Sequence, residues 1–168
     1  DGAGFLVNRL LGPYLNEAGW LLAEGAAIEE IDRVLLDFGM PMGPLRLLDE
    51  VGLDVSRHVA GILYEAFGER MAPAPPLVQL SETQRLGRKG GSGFYRYENG
   101  KEAGPDESIY AELGETVPKA RKALLPETIR DRTILVMVNE AVIDAYLGAH
   151  HDETAAERSV AADRHRDQ

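Results

Sequence analysis

The chain has 168 residues, 44% of them hydrophobic, which is enough to bury a core without a structural metal or a disulfide. Because cysteine is absent, disulfides, thiolate nucleophiles and cysteine-ligated metals are excluded together. The formal net charge of -10, from 18 Lys and Arg against 28 Asp and Glu, disfavours nucleic acid and anionic membranes as partners.

The sequence also carries no sign of membrane insertion or export. No apolar run approaches the roughly 20 residues that are needed to span a bilayer. Residues 1–4 have neither the basic nor the apolar region of a signal peptide. The expected location is therefore the cytoplasm.

Apolar residues recur at three- and four-residue intervals through the first half of the chain, which is the pattern of amphipathic helices. The pattern predicts helices over residues 5–24, 28–38, 45–51 and 54–67, and a shorter one that follows the prolines at 73–76 and extends to residue 86. Gly39 and Gly68 are well placed to end two of these helices. We therefore predict an all-α domain over residues 1–100.

The chain changes character after residue 86. Glycines, basic residues and aromatic residues over 87–97 predict a short extended segment at 94–97, and Asn99-Gly100 predicts a tight turn. Residues 101–126 are polar and punctuated by proline, so we predict a connector with one or two helical turns around 108–113.

A second helical stretch repeats part of the first helix. Residues 132–141 echo residues 9–18 at a constant offset of 123, with a shared Asn-Glu-Ala tripeptide and matched arginine and apolar positions. The tripeptide alone could be chance, but the other matches favour duplication. We predict a partial second repeat over 127–149. Residues 150–168 contain hardly any large apolar side chain, which predicts a disordered tail.

The repeated Asn-Glu pair is predicted to serve packing. In the first copy it is Asn16-Glu17, and in the second it is Asn139-Glu140. The second copy lies where no chemistry is expected, so a shared role is a structural one.

Three motifs now point to a family. They are Gly4-Phe5-Leu6-Val7-Asn8-Arg9, then Pro41-Met42-Gly43-Pro44 followed by Leu47-Leu48-Asp49, then Gly87-Arg88-Lys89 leading into Gly93-Phe94-Tyr95. With these motifs in this order, the chain resembles the C-terminal domain of 3-hydroxyacyl-CoA dehydrogenases, and more narrowly the alpha subunits of fatty-acid oxidation complexes. The resemblance implies an all-α fold like that of the C-terminal domain of 6-phosphogluconate dehydrogenase. It also implies NAD-dependent oxidation of 3-hydroxyacyl-CoA in β-oxidation.

The cofactor site is expected to lie outside this chain. In the family, the dinucleotide loop, the catalytic histidine and its glutamate partner lie on a preceding Rossmann domain. The glycines over 87–93 follow a helix rather than a strand, so they are not a dinucleotide fingerprint. We expect the parent enzyme to use NAD, and this chain to lack the Rossmann domain, to bind no cofactor alone and to be inactive alone.

Asn8 is the candidate for a supporting catalytic role. By the resemblance, its amide points at the substrate's 3-oxygen or at the absent histidine. On a helical wheel Asn8 falls roughly 80° from the centre of the apolar stripe, at the border of the buried face. The alternative is that Asn8 caps the start of the helix, where asparagine is favoured.

Two further motifs can each be interpreted as structural or as substrate-binding. Residues Pro41, Met42, Gly43 and Pro44 form a rigid interhelical bend, and the resemblance implies that this bend lines an acyl-chain channel in which a flexible thioether suits variable chains. Arg88 and Lys89 beside glycines are candidates for the phosphates of coenzyme A, but a solvated basic turn is the favoured interpretation.

No metal site is predicted. His58 lies beside Val59 on a predicted helix, and the other three histidines fall after residue 149. None has a partner at helical metal-binding spacing.

Two functions stay open. The first is the substrate-side part of a 3-hydroxyacyl-CoA dehydrogenase, whose partners would be an acyl-CoA substrate, the missing Rossmann domain, and a homo-oligomer or multienzyme complex. The alternative is a non-catalytic helical domain that kept the fold for dimerisation or scaffolding through an exposed apolar face.

Overall fold

The structure is a computed structural model that describes residues 5–164 of the backbone and the surroundings of side chains 7–146. Within that range the chain forms seven α-helices and one antiparallel hairpin, which confirms the all-α prediction. The helices are α1 (Phe5–Ala23), α2 (Ile28–Phe38), α3 (Pro44–Val51), α4 (Leu53–Phe67), α5 (Pro75–Leu80), α6 (Ile109–Leu113) and α7 (Pro126–Arg164). The strands are β1 (Tyr95–Glu98) and β2 (Lys101–Pro105).

The helix ends follow the chemistry of their sequence. Gly39 adopts a left-handed conformation with φ of 117°, and the backbone N–H groups of Gly39 and Met40 bond the last carbonyls of α2. Helix α5 ends at Leu80 rather than at residue 86. The hydroxyls of Ser81 and Thr83 bond the carbonyls of Val78 and Leu80, which gives the backbone an alternative to further helix.

The hairpin confirms the turn predicted at Asn99-Gly100. Both residues have positive φ, 52° and 74°, which is the conformation of the two-residue turns that join antiparallel strands. Strand β1 alternates between buried and exposed side chains, so Tyr95 and Tyr97 face the core. The two strands of the hairpin lie on either side of residue 100, which is the predicted boundary between the domain and its connector.

One apolar core unites the helices with the connector. The largest fully buried side chains are Tyr14, Leu21, Leu22, Ile28, Ile31, Leu35, Leu45, Leu80, Phe94, Tyr95, Ile109 and Leu113. Ile109 and Leu113 belong to α6, and Ile129 of α7 joins the same cluster. The connector is therefore packed as part of the domain.

Helix α7 continues through residues 150–164, where the sequence analysis expected a disordered tail, and the rest of that tail lies outside the described residues. This stretch has no proline or glycine and is rich in alanine, glutamate and arginine, which all favour helix. Among the described helices none has both the length and the apolar character to cross a bilayer.

Candidate functional site

An apolar cavity of about 440 Å³ lies between α1, α3, α4 and α5. This volume is within the range of small-molecule sites, which are concave and mostly apolar. Its apolar lining is supplied mainly by Leu11, Leu15, Leu47, Val51, Val59, Leu63, Leu77 and Val78. A neighbouring groove along α4 is larger, at about 630 Å³, and more polar.

Asn8 stands at the mouth of this cavity. It belongs to the lining and its side chain is exposed. Its side chain makes no hydrogen bond to any residue that the structure describes, so the amide is available to a ligand. Asn8 lies inside α1, three residues after Phe5, and not at an N-cap position.

Two polar side chains of α4 also line the cavity. The Ser56 hydroxyl oxygen is shielded from solvent and has no hydrogen-bond partner among the described residues. The Arg57 guanidinium donates to the carbonyl of Ser81 at 3.0 Å and lies where the cavity meets a more polar groove. The opening thus combines an apolar interior with a few polar groups.

The bend at 41–44 lies elsewhere and packs on a buried carboxylate. Asp32, only 1% exposed, accepts hydrogen bonds from the N–H groups of Leu45 and Arg46 at the start of α3, at 2.9 and 3.0 Å. The Tyr95 hydroxyl donates to it at 2.7 Å. A Cβ at Gly43 would come within 2.2 Å of the Asp32 side chain, so packing alone requires glycine there.

A second buried carboxylate, Asp49, holds the hairpin. It accepts bonds from the N–H groups of Phe94 and Tyr95, both at 2.9 Å, and from the Tyr97 hydroxyl at 3.1 Å. Burial raises the pKa of Asp49 to about 6, although these hydrogen bonds act in the opposite direction. A Cβ at Gly93 would stand 1.9 Å from the Asp49 carboxylate.

The two basic residues that were candidates for coenzyme A each face a carboxylate. Arg88 pairs with Glu50 and donates to the carbonyl of Gly100 at 2.7 Å. Lys89 donates to Asp54 at 2.7 Å, and this hydrogen bond lowers the pKa of that carboxyl. Both pairs are exposed. Neither Arg88 and Lys89 nor residues 41–44 are among the described residues that line the apolar cavity.

The glycine-rich turn at 87–93 does not fit a dinucleotide. The glycines at 87–93 form a tight turn, and Gly87 and Gly93 approach Asp49 closely, so their backbone contacts the protein's own core. The described part of the chain has a two-stranded hairpin and no parallel sheet from which a phosphate-binding loop would start. We assign no cofactor step to this chain.

Among the side chains that the structure describes, residues 7–146, no cluster of three His, Asp or Glu is placed to hold a metal ion. His58 is exposed and lies on the polar groove beside α4. The other three histidines fall where side-chain surroundings are not described.

The sequence did not predict several buried charged residues, among them Asp32 and Arg85. Asp32 carried a signal, since it follows Ile31 and lies four residues after Ile28, on the apolar face of α2. Arg85 carried none, because it lies in an irregular segment. It is 7% exposed and donates to Asp106 at 2.7 Å and to the carbonyl of Gly93 at 2.8 Å.

Comparison with known proteins agrees with these motifs. The family model described as "3-hydroxyacyl-CoA dehydrogenase, C-terminal domain" matches residues 4–97. The fatty acid oxidation complex subunit alpha of Shewanella sp. (strain ANA-3) is 46% identical over 147 residues, covering 84% of this chain and 20% of that protein. The subunit from Shewanella amazonensis is 44% identical over 144 residues with the same coverage. The chain thus spans about 20% of the length of the curated relatives it matches.

Solved structures show the same architecture. (S)-3-hydroxybutyryl-CoA dehydrogenase PaaH1 from Ralstonia eutropha aligns with a TM-score of 0.56 and 41% identity, over 59% of this chain and 36% of that one. The dehydrogenase part of multifunctional enzyme 1 from C. elegans aligns with a TM-score of 0.68 over 88% of this chain and 34% of that one. At 24% identity, the second likeness shows the fold alone.

The helical fold and the three ordered motifs together define an all-α dehydrogenase domain. The chain belongs to the 3-hydroxyacyl-CoA dehydrogenase C-terminal domain family.

Proposed function

We propose that this chain is the substrate-side domain of an NAD-dependent 3-hydroxyacyl-CoA dehydrogenase of fatty-acid β-oxidation. The observation that carries the proposal is the position of Asn8, an exposed amide at the mouth of an apolar cavity of about 440 Å³. An amide in this place can hydrogen-bond the substrate's 3-oxygen or orient the catalytic histidine while the acyl chain lies against apolar side chains.

The reaction needs groups that this chain is not proposed to supply. Oxidation of the 3-hydroxyl to a ketone transfers a hydride from carbon 3 to NAD and a proton to a base. We propose that both acceptors lie on a Rossmann domain and that residues 1–168 alone are inactive. Asn8 then positions the oxygen. Its hydrogen bond to the oxygen accelerates the reaction most if that bond is stronger in the transition state than in the bound substrate.

The remaining site predictions have weaker support. Pro41, Met42, Gly43 and Pro44 stay predicted to line an acyl channel, and the packing of Gly43 on Asp32 supports the alternative of a structural bend. Arg88 and Lys89 would meet coenzyme A phosphates only by giving up their carboxylate partners, which supports a basic turn. We propose a cytoplasmic enzyme that works as a homo-oligomer or within a multienzyme complex.

A kinetic experiment tests the role of Asn8. In an enzyme that joins this chain to its dinucleotide-binding domain, Asn8→Ala is expected to lower kcat/KM for acetoacetyl-CoA by about 10- to 100-fold, the range for a lost hydrogen bond to a polar reacting group. Asn139→Ala is the matched control, because Asn139 is also an exposed helical asparagine but does not line the cavity. An unchanged kcat/KM in Asn8→Ala would refute the role.

A binding experiment tests the assignment of the cofactor. The purified 168-residue chain is titrated calorimetrically with NADH and, separately, with acetoacetyl-CoA. We expect heat of binding only with the thioester. Measurable NADH binding would contradict the proposal that the cofactor site lies on another domain.

One observation favours the alternative, a dimerisation or scaffold domain. Leu135, Val138 and Val142 follow one another at helical spacing on α7 and are 55%, 45% and 62% exposed. An apolar stripe of this kind favours association. Under this alternative, analytical ultracentrifugation would find a dimer that Val138→Glu dissociates. A monomeric wild type would exclude a homodimer.

A further inference from the structure

We propose that Glu140 on α7 is a positioning residue for Asn8. It acts through Arg9, which fixes the first turn of α1, and this turn carries the Asn8 amide. The consequence for the reaction rests on the proposed function of Asn8, whereas the positioning itself follows from the contacts of Arg9.

The first turn of α1 has little else to hold it in place. The first N–H groups of a helix lack partners within the helix, and Val7 and Asn8 are both exposed. Arg9 is only 12% exposed. Among the described side chains of α1, it is the first in chain order that is largely buried. Arg9 is therefore the residue that can fix this turn.

Arg9 joins α1 to two other helices. Its guanidinium lies over the Phe67 ring of α4, 4.8 Å from the ring centroid, and forms ion pairs with Glu140 and Asp144 of α7. One of its amino groups is shielded from solvent and has no hydrogen-bond partner among the described residues. The two carboxylates therefore offset most of the cost of burying this charge.

Glu140 lies at the centre of this network. Its carboxylate is 4% exposed and binds Arg9 at 2.7 Å and Arg70, in the turn after α4, at 2.6 Å. Both guanidiniums lie against the ring of Phe67. Without the Glu140 charge they would repel each other, and of the described ion pairs Arg9 would keep the one to Asp144, which is 33% exposed. Arg9 would then move towards solvent, and the turn that carries Asn8 would move with it.

The second ion pair between α1 and α7 provides a comparison within the same interface. Arg132 is 31% exposed and Glu17 is 17% exposed, so this pair is in contact with water. The residue that corresponds to Asn8 at the offset of 123 is Asp131, which has no amide. The more deeply buried network thus lies on the side that carries Asn8. This asymmetry is expected if the network positions Asn8, and the packing of two related helices would not require it.

A double-mutant cycle tests the proposal in an enzyme that joins this chain to its dinucleotide-binding domain. Glu140→Gln is expected to lower kcat for acetoacetyl-CoA about tenfold and to change KM by less than about threefold, because a displaced amide no longer meets the 3-oxygen in the transition state. In the Asn8→Ala background the same substitution should change kcat by less than about twofold, since no amide is left to position.

Two controls separate positioning from stability. Glu17→Gln removes the related ion pair and should leave kcat within about twofold of wild type, because Glu17 does not line the cavity. Gly93→Ala disturbs the packing on Asp49 and should destabilise the fold without lowering kcat. Thermal melting gives a temperature at which every variant is folded. If Gly93→Ala lowers kcat as much as Glu140→Gln, the effect is a loss of folding and the proposal fails.

The order of the turn can also be measured without turnover. NMR relaxation on the 168-residue chain gives the order parameter of the Asn8 backbone N–H. We expect it to fall from about 0.85 to below about 0.6 in Glu140→Gln and to stay unchanged in Glu17→Gln. Should Glu140→Gln not fold, Arg9→Lys takes its place, because lysine keeps the charge but cannot bind two carboxylates and an aromatic face in the same way.

The proposal is overturned if Glu140→Gln leaves kcat and the order parameter unchanged, or if it lowers kcat by the same factor with and without the Asn8 amide. An unchanged kcat/KM in Asn8→Ala alone would instead refute the proposed function of Asn8. In that case the order parameter still decides whether Glu140 fixes the turn.

Discussion

Arg9 on α1 and Glu140 on α7 form an ion pair at 2.7 Å, and the same pair recurs with the two residue types exchanged between the helices. Arg132, 123 positions after Arg9, contacts Glu17 at 2.6 Å, and Glu17 lies 123 positions before Glu140. The helices therefore pack antiparallel about a pseudo-twofold axis. This reciprocity supports the duplication, because two unrelated helices would have no reason to exchange matched contacts.

The two ion pairs are expected to differ in strength. Glu140 is 4% exposed and also binds Arg70 at 2.6 Å, whereas Glu17 is 17% exposed and Arg132 31%. Glu140→Gln should lower the free energy of unfolding by about 2 to 3 kcal/mol, because it removes the buried charge that Arg9 and Arg70 share, although Arg9 keeps its ion pair with Asp144. Glu17→Gln should cost no more than about 1 kcal/mol. Urea denaturation measures both, and equal costs would contradict the difference in burial.

The duplicated asparagines provide a second test. The Asn16 side chain bonds the carbonyl of Ala72 at 2.9 Å and the N–H of Ala74 at 2.7 Å, so it clamps the segment between α4 and α5. Asn16→Ala should cost about 2 to 3 kcal/mol, since it leaves two backbone groups unsatisfied. Asn139→Ala, at the exposed second copy, should cost under about 0.5 kcal/mol. Thermal unfolding of both variants measures the difference. Equal losses of stability would show that the hydrogen bonds of Asn16 do not stabilise the fold.

The helices could be predicted from sequence because their signals are local. The spacing of apolar residues gave α2 its observed bounds of Ile28–Phe38, and Asn99-Gly100 gave the turn of the hairpin. Asn8 was placed at the border of the buried face, and it does lie at a cavity mouth.

The cavity itself could not be predicted, because it is enclosed by side chains from four helices spread over residues 5–80. The two glycine-containing motifs show the same limit. Both motifs were candidates for contact with the substrate, with a structural bend or turn as the alternative, and Gly43 and Gly93 lie against Asp32 and Asp49, which are buried through long-range contacts. A pattern cannot show which distant side chain approaches a glycine. Only the tertiary structure distinguishes a glycine needed for packing from one that leaves space.

Two glycine-to-alanine substitutions should have opposite effects. Gly93→Ala would force a Cβ to within 1.9 Å of the Asp49 carboxylate and should destabilise the fold by about 1 to 3 kcal/mol. Gly61→Ala meets no neighbour within 4 Å and should stabilise it by up to about 1 kcal/mol through helix propensity. Thermal melts of the two variants give the signs directly. Destabilisation by Gly61→Ala would mean that the space at α4 is needed for packing.

Asp49 should make stability depend on pH in a direction unusual for a carboxylate. Its pKa is about 6 in the fold and roughly 3.9 in an unfolded chain, so the folded state binds the proton more tightly. The stabilisation from this proton is complete below the unfolded pKa and is lost as the pH rises through about 6.

The measurement is urea unfolding of wild type and Asp49→Asn at intervals from pH 4 to pH 7. Asparagine cannot titrate, so the difference between the two free energies of unfolding isolates Asp49 from the other acidic residues. We expect the advantage of wild type to shrink by on the order of 2 to 3 kcal/mol over this range. A difference that stays constant or grows with pH would mean that the N–H groups of Phe94 and Tyr95 outweigh the cost of burial and hold the carboxylate ionised.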